Sequence, residues 1–224
     1  MGEVSLGMSN DNLLQSYLSN VIHPTAVIGD DVELGEDNYI GPFCYFTGKV
    51  EIGNNNRFEA YCSIGGRAEH IKHWHKDGRT MIGSDGIFRE YSIINSGTND
   101  DLTFIDDNVI MLNKAYVAHD CVIEDGVTLS CGVKIGGNVN VMKESNLGMG
   151  VTVHQYQVIG SWSMLGMGCV VPKKSRIEPG KTWVGNPARS LNTNMYALNK
   201  SDIDEFVLLE ETARWTQLIK QRGL

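Results

Sequence analysis

Large apolar residues recur every six positions along most of the chain. One series runs Ile22, Ile28, Leu34, Ile40, Phe46, Ile52, Phe58, Ile64. A second runs from Ile105 through Met111, Val117, Ile123 and Leu129, and on in steps of six to Val171, Ile177 and Trp183. Glycine often follows, as at Gly29, Gly35, Gly41, Gly53 and Gly65. A period of six matches neither the 3.6-residue turn of a helix nor the two-residue alternation of a strand. It matches a short strand, a turn and another short strand. Three such hexads make one triangular coil, and stacked coils pair their backbones at the roughly 4.8 Å inter-strand spacing. The expected fold is all-β: a parallel β-helix whose apolar corner residues fill the interior.

A second interior column supports this reading. The fifth hexad position holds small residues, including Val109, Ala115, Cys121, Val127, Val133 and Ser163. Cys44, Cys62, Cys121 and Cys169 fall there too, so they read as small buried hydrophobes; Cys131 falls elsewhere. Two excursions break the pattern, at 65–81 and 95–104. The expected organisation is an N-terminal segment 1–20, a β-helix domain 21–190 carrying those two loops, and a C-terminal helical extension 191–224. In the extension, Ser201 or Asp202 is the expected N-cap. Phe206, Leu209, Ala213, Leu218 and Ile219 mark the apolar side of a helix that covers the end of the solenoid.

Charge and composition narrow the function. A net charge of −8 argues against nucleic acid as the main partner. The N-terminus lacks the basic and apolar regions of a signal peptide, and no apolar run approaches the roughly 20 residues of a membrane span, so a cytoplasmic location is expected. Within the acidic chain, Lys173, Lys174, Arg176, Lys181 and Arg189 form a basic end, suited to coenzyme A phosphates or an acidic carrier protein. The first loop holds His70, His73 and His75 with Lys72, but the spacing matches no familiar zinc motif. No metal and no bound cofactor are expected.

The sequence AHDC at 118–121 places His119 and Asp120 in an otherwise apolar stretch. A histidine titrating near neutrality can take a proton from an attacking hydroxyl or amine, and a neighbouring aspartate can hold its tautomer. Backbone N–H groups at Gly136, Gly137 or Gly148 are candidate oxyanion donors. His119 and His154 follow Val117 and Val153, which puts them on one edge of the prism, two coils apart.

The hexad pattern resembles the hexapeptide-repeat acyltransferases, which fold as a left-handed parallel β-helix. The stretches IHPTAVIG, IGPFC, AHDC, GMGVTVHQY and GNPA are similar to those of the UDP-N-acetylglucosamine O-acyltransferases, the first acylating enzymes of lipid A synthesis. The resemblance implies His119 as general base and Asp120 orienting it; among the glycines above, Gly137 is the expected oxyanion donor. On the acceptor side it implies His70, Lys72, His154, Gln155 and Asn194, and Tyr116, Asn138 and Gly148 are expected to border the same substrate site. The acyl donor would meet Gly166, Met167, Lys173, Lys174 and Arg189, with Met167 shortening the acyl groove. An acyl carrier protein or coenzyme A thioester is the expected co-substrate. A homotrimer with sites between subunits is the expected assembly, its contacts burying the His119 edge.

The departures from the family pattern are Tyr116 and Asn138 in place of histidines, His70 in place of a loop carboxylate, and a short C-terminus. They point to the same reaction class with a different sugar. The expected function is transfer of a short or medium acyl group from a thioester to a hydroxyl or amine of a nucleotide-linked sugar. An amino-sugar N-acyltransferase of surface-polysaccharide synthesis remains open. So does a non-catalytic scaffold, or a zinc carbonic-anhydrase-like protein using His70, His75 and His119.

Overall fold

The structure, a computed structural model, describes residues 19–72, 78–98 and 102–224. Short strands stack into three sheets of ten, eight and seven strands, parallel except for one terminal strand, which form the faces of a left-handed triangular prism. Asn146–Leu147 lies on the first face, Tyr116–Val117 on the second and Val122–Ile123 on the third. Most strands have only two residues. The first points outward and the second inward, because successive side chains of a strand face opposite ways.

The large hexad residues are therefore the inward members of the strands on the flat faces. The corners are the turns between strands, not the apolar residues as the sequence reading had it. Phe46, Phe58, Phe88, Ile94, Met111, Val117 and Ile135 are fully buried. The four cysteines of the small column are buried as expected, and Cys131 is exposed. Each coil repeats the one below, so Val117 sits beside Ile135 and Ile135 beside Val153.

The two excursions leave this ladder without breaking it. Arg57 pairs with Ile87 and Ile87 with Ile110, so the chain makes two coils that are longer than the rest yet in register. They depart at 67–78 and 96–101, narrower than expected. The reason is that the returning ends join the sheet: Arg79–Ile82 lies between Lys49–Ile52 and Leu102–Ile105 as full strands.

The C-terminal extension is more than one helix. Arg189–Thr193 turns back antiparallel on Lys181–Val184 and covers the edge of the last coil. A short helix, Met195–Lys200, follows, and then a long one, Glu205–Gln221. The N-cap of the long helix is Asp204, whose carboxylate accepts from the Val207 N–H at 2.8 Å; Ser201 instead closes the short helix. The long helix lies along the third face rather than over the end. Trp215 and Ile219 pack there on Met142 and Val158, while Phe206 and Leu209 are each 65% exposed and Ala213 also faces solvent. The inward series steps by four through Glu211, Trp215 and Ile219, the spacing of one helix face. Its polar member is satisfied: Glu211 accepts from Ser161 at 2.7 Å and pairs with Lys143 at 3.0 Å. No helix among the described residues is long and apolar enough to cross a membrane.

Candidate active site

His119 lies on the edge between the second and third faces, just past Tyr116–Val117. It is only 7% exposed. The chain itself provides that burial, whereas the sequence reading assigned it to subunit contacts. His70 packs edge-on against its ring, with centroids 5.4 Å apart. Gly137 lies one coil above. A Cβ at Gly137 would sit 2.6 Å from both Cε1 and Nε2 of His119, so only glycine leaves room for the imidazole in this position.

The His119 and Asp120 side chains converge, which neighbours in a strand would not. Asp120 sits in a left-handed turn conformation with φ 58°, and this swings its carboxylate back to His119. Oδ2 lies 2.6 Å from His119 Nδ1. Thr98 holds the carboxylate from the other side, its N–H on Oδ1 at 2.7 Å and its hydroxyl on Oδ2 at 3.0 Å. Burial pushes the Asp120 carboxyl upward, but the hydrogen bonds from His119 and Thr98 outweigh it and hold it below the usual range. An ionised Asp120 requires a proton on Nδ1. Nε2 is then the free base, on the side facing Gly137. Cys121 lies beneath, its thiol pushed up to about 12 by burial, and stays a neutral filler.

Of the candidate oxyanion donors, the N–H groups of Gly136 and Gly148 are already spent on the carbonyls of Val153 and Leu165. Among the described residues the Gly137 N–H has no protein acceptor. The proton acceptor therefore lies against a residue whose backbone donor is unspent. That pair suits proton removal from a nucleophile beside a developing negative charge.

Several other sequence candidates share this edge. Gln155 and Lys173 continue the His119–Gly137 column in the next two coils, with His154 and Lys174 beside them. Lys72 follows His70 on the first loop, its N–H on His70 Nδ1 at 3.3 Å. Tyr116 points outward at the edge of the second face. Its hydroxyl donates to Glu69 at 3.2 Å and accepts from Asn95 at 3.1 Å. Burial, and then the Glu69 carboxylate, raise this phenol above its ordinary range, so it stays a donor. Asn138 follows Gly137, and its N–H donates to the His119 carbonyl at 2.9 Å.

Five candidates lie elsewhere. Gly148, Gly166 and Met167 are on the edge between the first and second faces, where Met167 is 71% exposed. Asn194 is at the third edge. Its side chain accepts from the Ala197 N–H, capping the short helix, and donates to the Trp162 carbonyl at 2.8 Å. It lines a cavity of about 340 Å³ with Thr128, Glu144, Asn146, Tyr196 and Lys200. Arg189 is exposed on the terminal strand. One chain therefore does not bring Gly148, Gly166, Met167, Arg189 or Asn194 to His119.

Glu69, Asn95 and Thr98 escaped the sequence reading. Glu69 bears on the acceptor side in particular, because a loop carboxylate is present one residue before His70. Among the described residues no group of three His, Cys, Asp or Glu side chains is placed to hold a metal; His73 and His75 lie outside those residues.

The family model described as bacterial transferase hexapeptide (six repeats) matches residues 31–66. The acyl-(acyl-carrier-protein)–UDP-N-acetylglucosamine O-acyltransferase of Gloeothece citriformis is 32% identical over 143 residues, which are 63% of this chain and 51% of that relative. The enzyme of the same description from Rhizobium johnstonii is 28% identical over 84% of this chain and 75% of its own length. The chain thus spans about half the length of the first of these relatives. Among solved structures, the UDP-N-acetylglucosamine acyltransferase of Bacteroides fragilis superposes with a TM-score of 0.74 at 24% identity, over 91% of this chain and 86% of that one. LpxA of Acinetobacter baumannii gives 0.75 at 22% identity, over 91% and 90%. The chain is a left-handed parallel β-helix carrying the bacterial transferase hexapeptide repeat, and the proteins it resembles along that helix are UDP-N-acetylglucosamine O-acyltransferases.

Proposed function

We propose that this protein transfers a short or medium acyl group from an acyl carrier protein or coenzyme A thioester to a hydroxyl or amine of a nucleotide-linked sugar. One observation carries the reading. His119, tautomerically fixed by Asp120, presents Nε2 beside the unspent N–H of Gly137. Nε2 takes the proton of the acceptor O–H or N–H as the acceptor atom bonds to the thioester carbonyl carbon. The Gly137 N–H receives the carbonyl oxygen as it becomes an oxyanion. Collapse breaks the C–S bond, and the imidazolium returns its proton to the departing sulfur. Asp120 stabilises the imidazolium meanwhile.

Tyr116, Glu69, His70 and Lys72 border the base and would contact the acceptor. Gly148, Gly166, Met167 and Asn194 lie on other edges of the same chain. Their proposed roles on the donor and nucleotide therefore depend on a homotrimer in which one copy's edge faces another's. A scaffold has no use for a buried, threefold-bonded His–Asp pair.

The test is thiol release from acyl-coenzyme A and acyl carrier protein donors across a panel of UDP- and dTDP-linked sugars and amino sugars. Wild type is expected to turn over at least one pair, with His119→Ala reduced ~10²–10⁴-fold. The preferred acceptor separates O- from N-acylation. A wild-type rate that survives the substitution would overturn the mechanism.

A further inference from the structure

Arg222 closes the long C-terminal helix, 84 residues along the chain from Asn138, yet it reaches the turn above His119. Its guanidinium donates to the Asn138 carbonyl through Nη1 and to the Asn140 side-chain oxygen through Nη2. Asn138 in turn donates its N–H to the His119 carbonyl, and Gly137, the residue before it, lies against the imidazole. Asn138 is held at φ 60°, a conformation that costs a non-glycine residue energy unless its surroundings fix it.

The guanidinium is partly removed from water, and its partners are neutral. Among the described residues no carboxylate lies within ion-pair distance of it. Arg214, on the same helix, pairs instead with Glu124 and Glu211. Withdrawing a charge from water onto an amide and a carbonyl stabilises a fold poorly. What it does well is fix direction, because the planar fork binds two acceptors at set angles.

We infer that Arg222 is a positioning residue for the proposed reaction: the C-terminal helix clamps the Gly137–Asn138 turn, and so the Nε2 side of His119 and the Gly137 N–H, in working register. The inference rests on the proposed role of His119, and it makes the helix part of the site rather than a cover for the third face.

The experiment compares Arg222→Ala and Arg222→Lys with Arg214→Ala in the full chain, reading turnover, thermal midpoint and the His119 imidazole resonances by NMR, assigned with His119→Ala. Arg222→Ala is expected to lower kcat about tenfold with KM little changed, to shift the His119 resonances, and to recover activity in millimolar guanidinium. Arg222→Lys should recover little, since one ammonium cannot span both acceptors. Arg214→Ala should lower the midpoint at unchanged kcat. Equal kcat and unshifted resonances in folded Arg222→Ala would overturn the inference, as would an Arg214→Ala variant that behaves the same way. If wild type proves inactive on every acceptor, the functional reading fails alone, because the resonances still report whether Arg222 sets the His119 environment.

Discussion

Two edges of the prism are built on one backbone plan and used differently. On each, the third turn residue after the inward strand residue adopts a left-handed conformation. Between the first and second faces the upper coils place Gly132, Gly150 and Gly168 there, at φ 71°, 70° and 67°, with no atom near enough to touch an added Cβ. Between the second and third faces the same three coils use Asn138, Tyr156 and Lys174, at φ 60°, 67° and 64°; the coil below uses Asp120 at 58° there and Lys114 at 61° on the first edge. Glycine adopts this conformation freely; other residues accept a cost of about 1–2 kcal/mol. On this edge two of the four are engaged, Asp120 by its side chain on His119 and Thr98, and Asn138 through its backbone on His119 and Arg222. In the upper coils the glycines of the other edge show that the fold does not require a side chain at this turn, although Phe43, Tyr61, Tyr91 and Lys114 occupy it lower down.

The sharpest way to break this contrast is at the base. His119→Ala should lose ~10²–10⁴ in turnover while the solenoid stays folded, checked by circular dichroism. Asp120→Asn comes next. An amide can donate to Nδ1 and so favour the wrong tautomer, and turnover is expected to fall by about 10² with the midpoint reduced only modestly.

A matched glycine pair then sets edge against edge. Gly137→Ala drives a methyl into the His119 ring, costing about 1–3 kcal/mol and displacing the base, so turnover should fall at least about tenfold. Within one chain Gly150→Ala meets open space and costs about 1–2 kcal/mol through its backbone alone, so a fall in turnover beyond that loss would come from a neighbouring copy packed on this edge. Loss of activity in both would show the bare edge to be catalytic as well, which is the outcome expected if a neighbouring copy docks it against His119.

The smallest effect concerns acid. The Asp120 carboxyl is held below its unfolded value of about 3.9, so its contribution to stability is complete above that value and is lost as pH falls through the folded one. Wild type should therefore lose stability more steeply than Asp120→Asn below about pH 4, by denaturant titration. Parallel curves would show that the carboxylate's hydrogen bonds contribute nothing net.

What the sequence revealed followed from its period. A hexad fixes which residues face inward, which columns share an edge and hence that His119 and His154 lie on one edge. That arithmetic depends on no contact beyond one coil. It gave out where the chain leaves the period. Thr98 and Glu69 reach the site from excursions whose return path no repeat dictates. Arg222 reaches it from a helix whose docking face depends on Met142 and Val158, residues that read as ordinary members of their coils. Phe206 and Leu209 misled for the same reason: the apolar stripe of a helix predicts its buried side only if the surface it meets is known, and here that surface also holds Ser161 and Lys143, which draw Glu211 inward instead. Asn194 joins His119 by resemblance alone, a relation that says nothing about whether one copy or several assemble the set.

The two excursions carry a last consequence. Each leaves and rejoins the ladder at adjacent rungs, and the inward residues above and below keep their pairing, with a register shift only between Ile94 and Asn95 where the chain departs. Such an excursion behaves as a cassette. Its length enters the closure entropy only logarithmically, and its removal or exchange leaves the pitch of the solenoid unchanged. The first cassette carries Glu69, His70 and Lys72, while His119 and Gly137 belong to the rungs. The groups that would read the acceptor can therefore be exchanged without moving the rungs that carry His119 and Gly137, provided that a ring still packs where His70 meets His119 and Thr98 still holds Asp120.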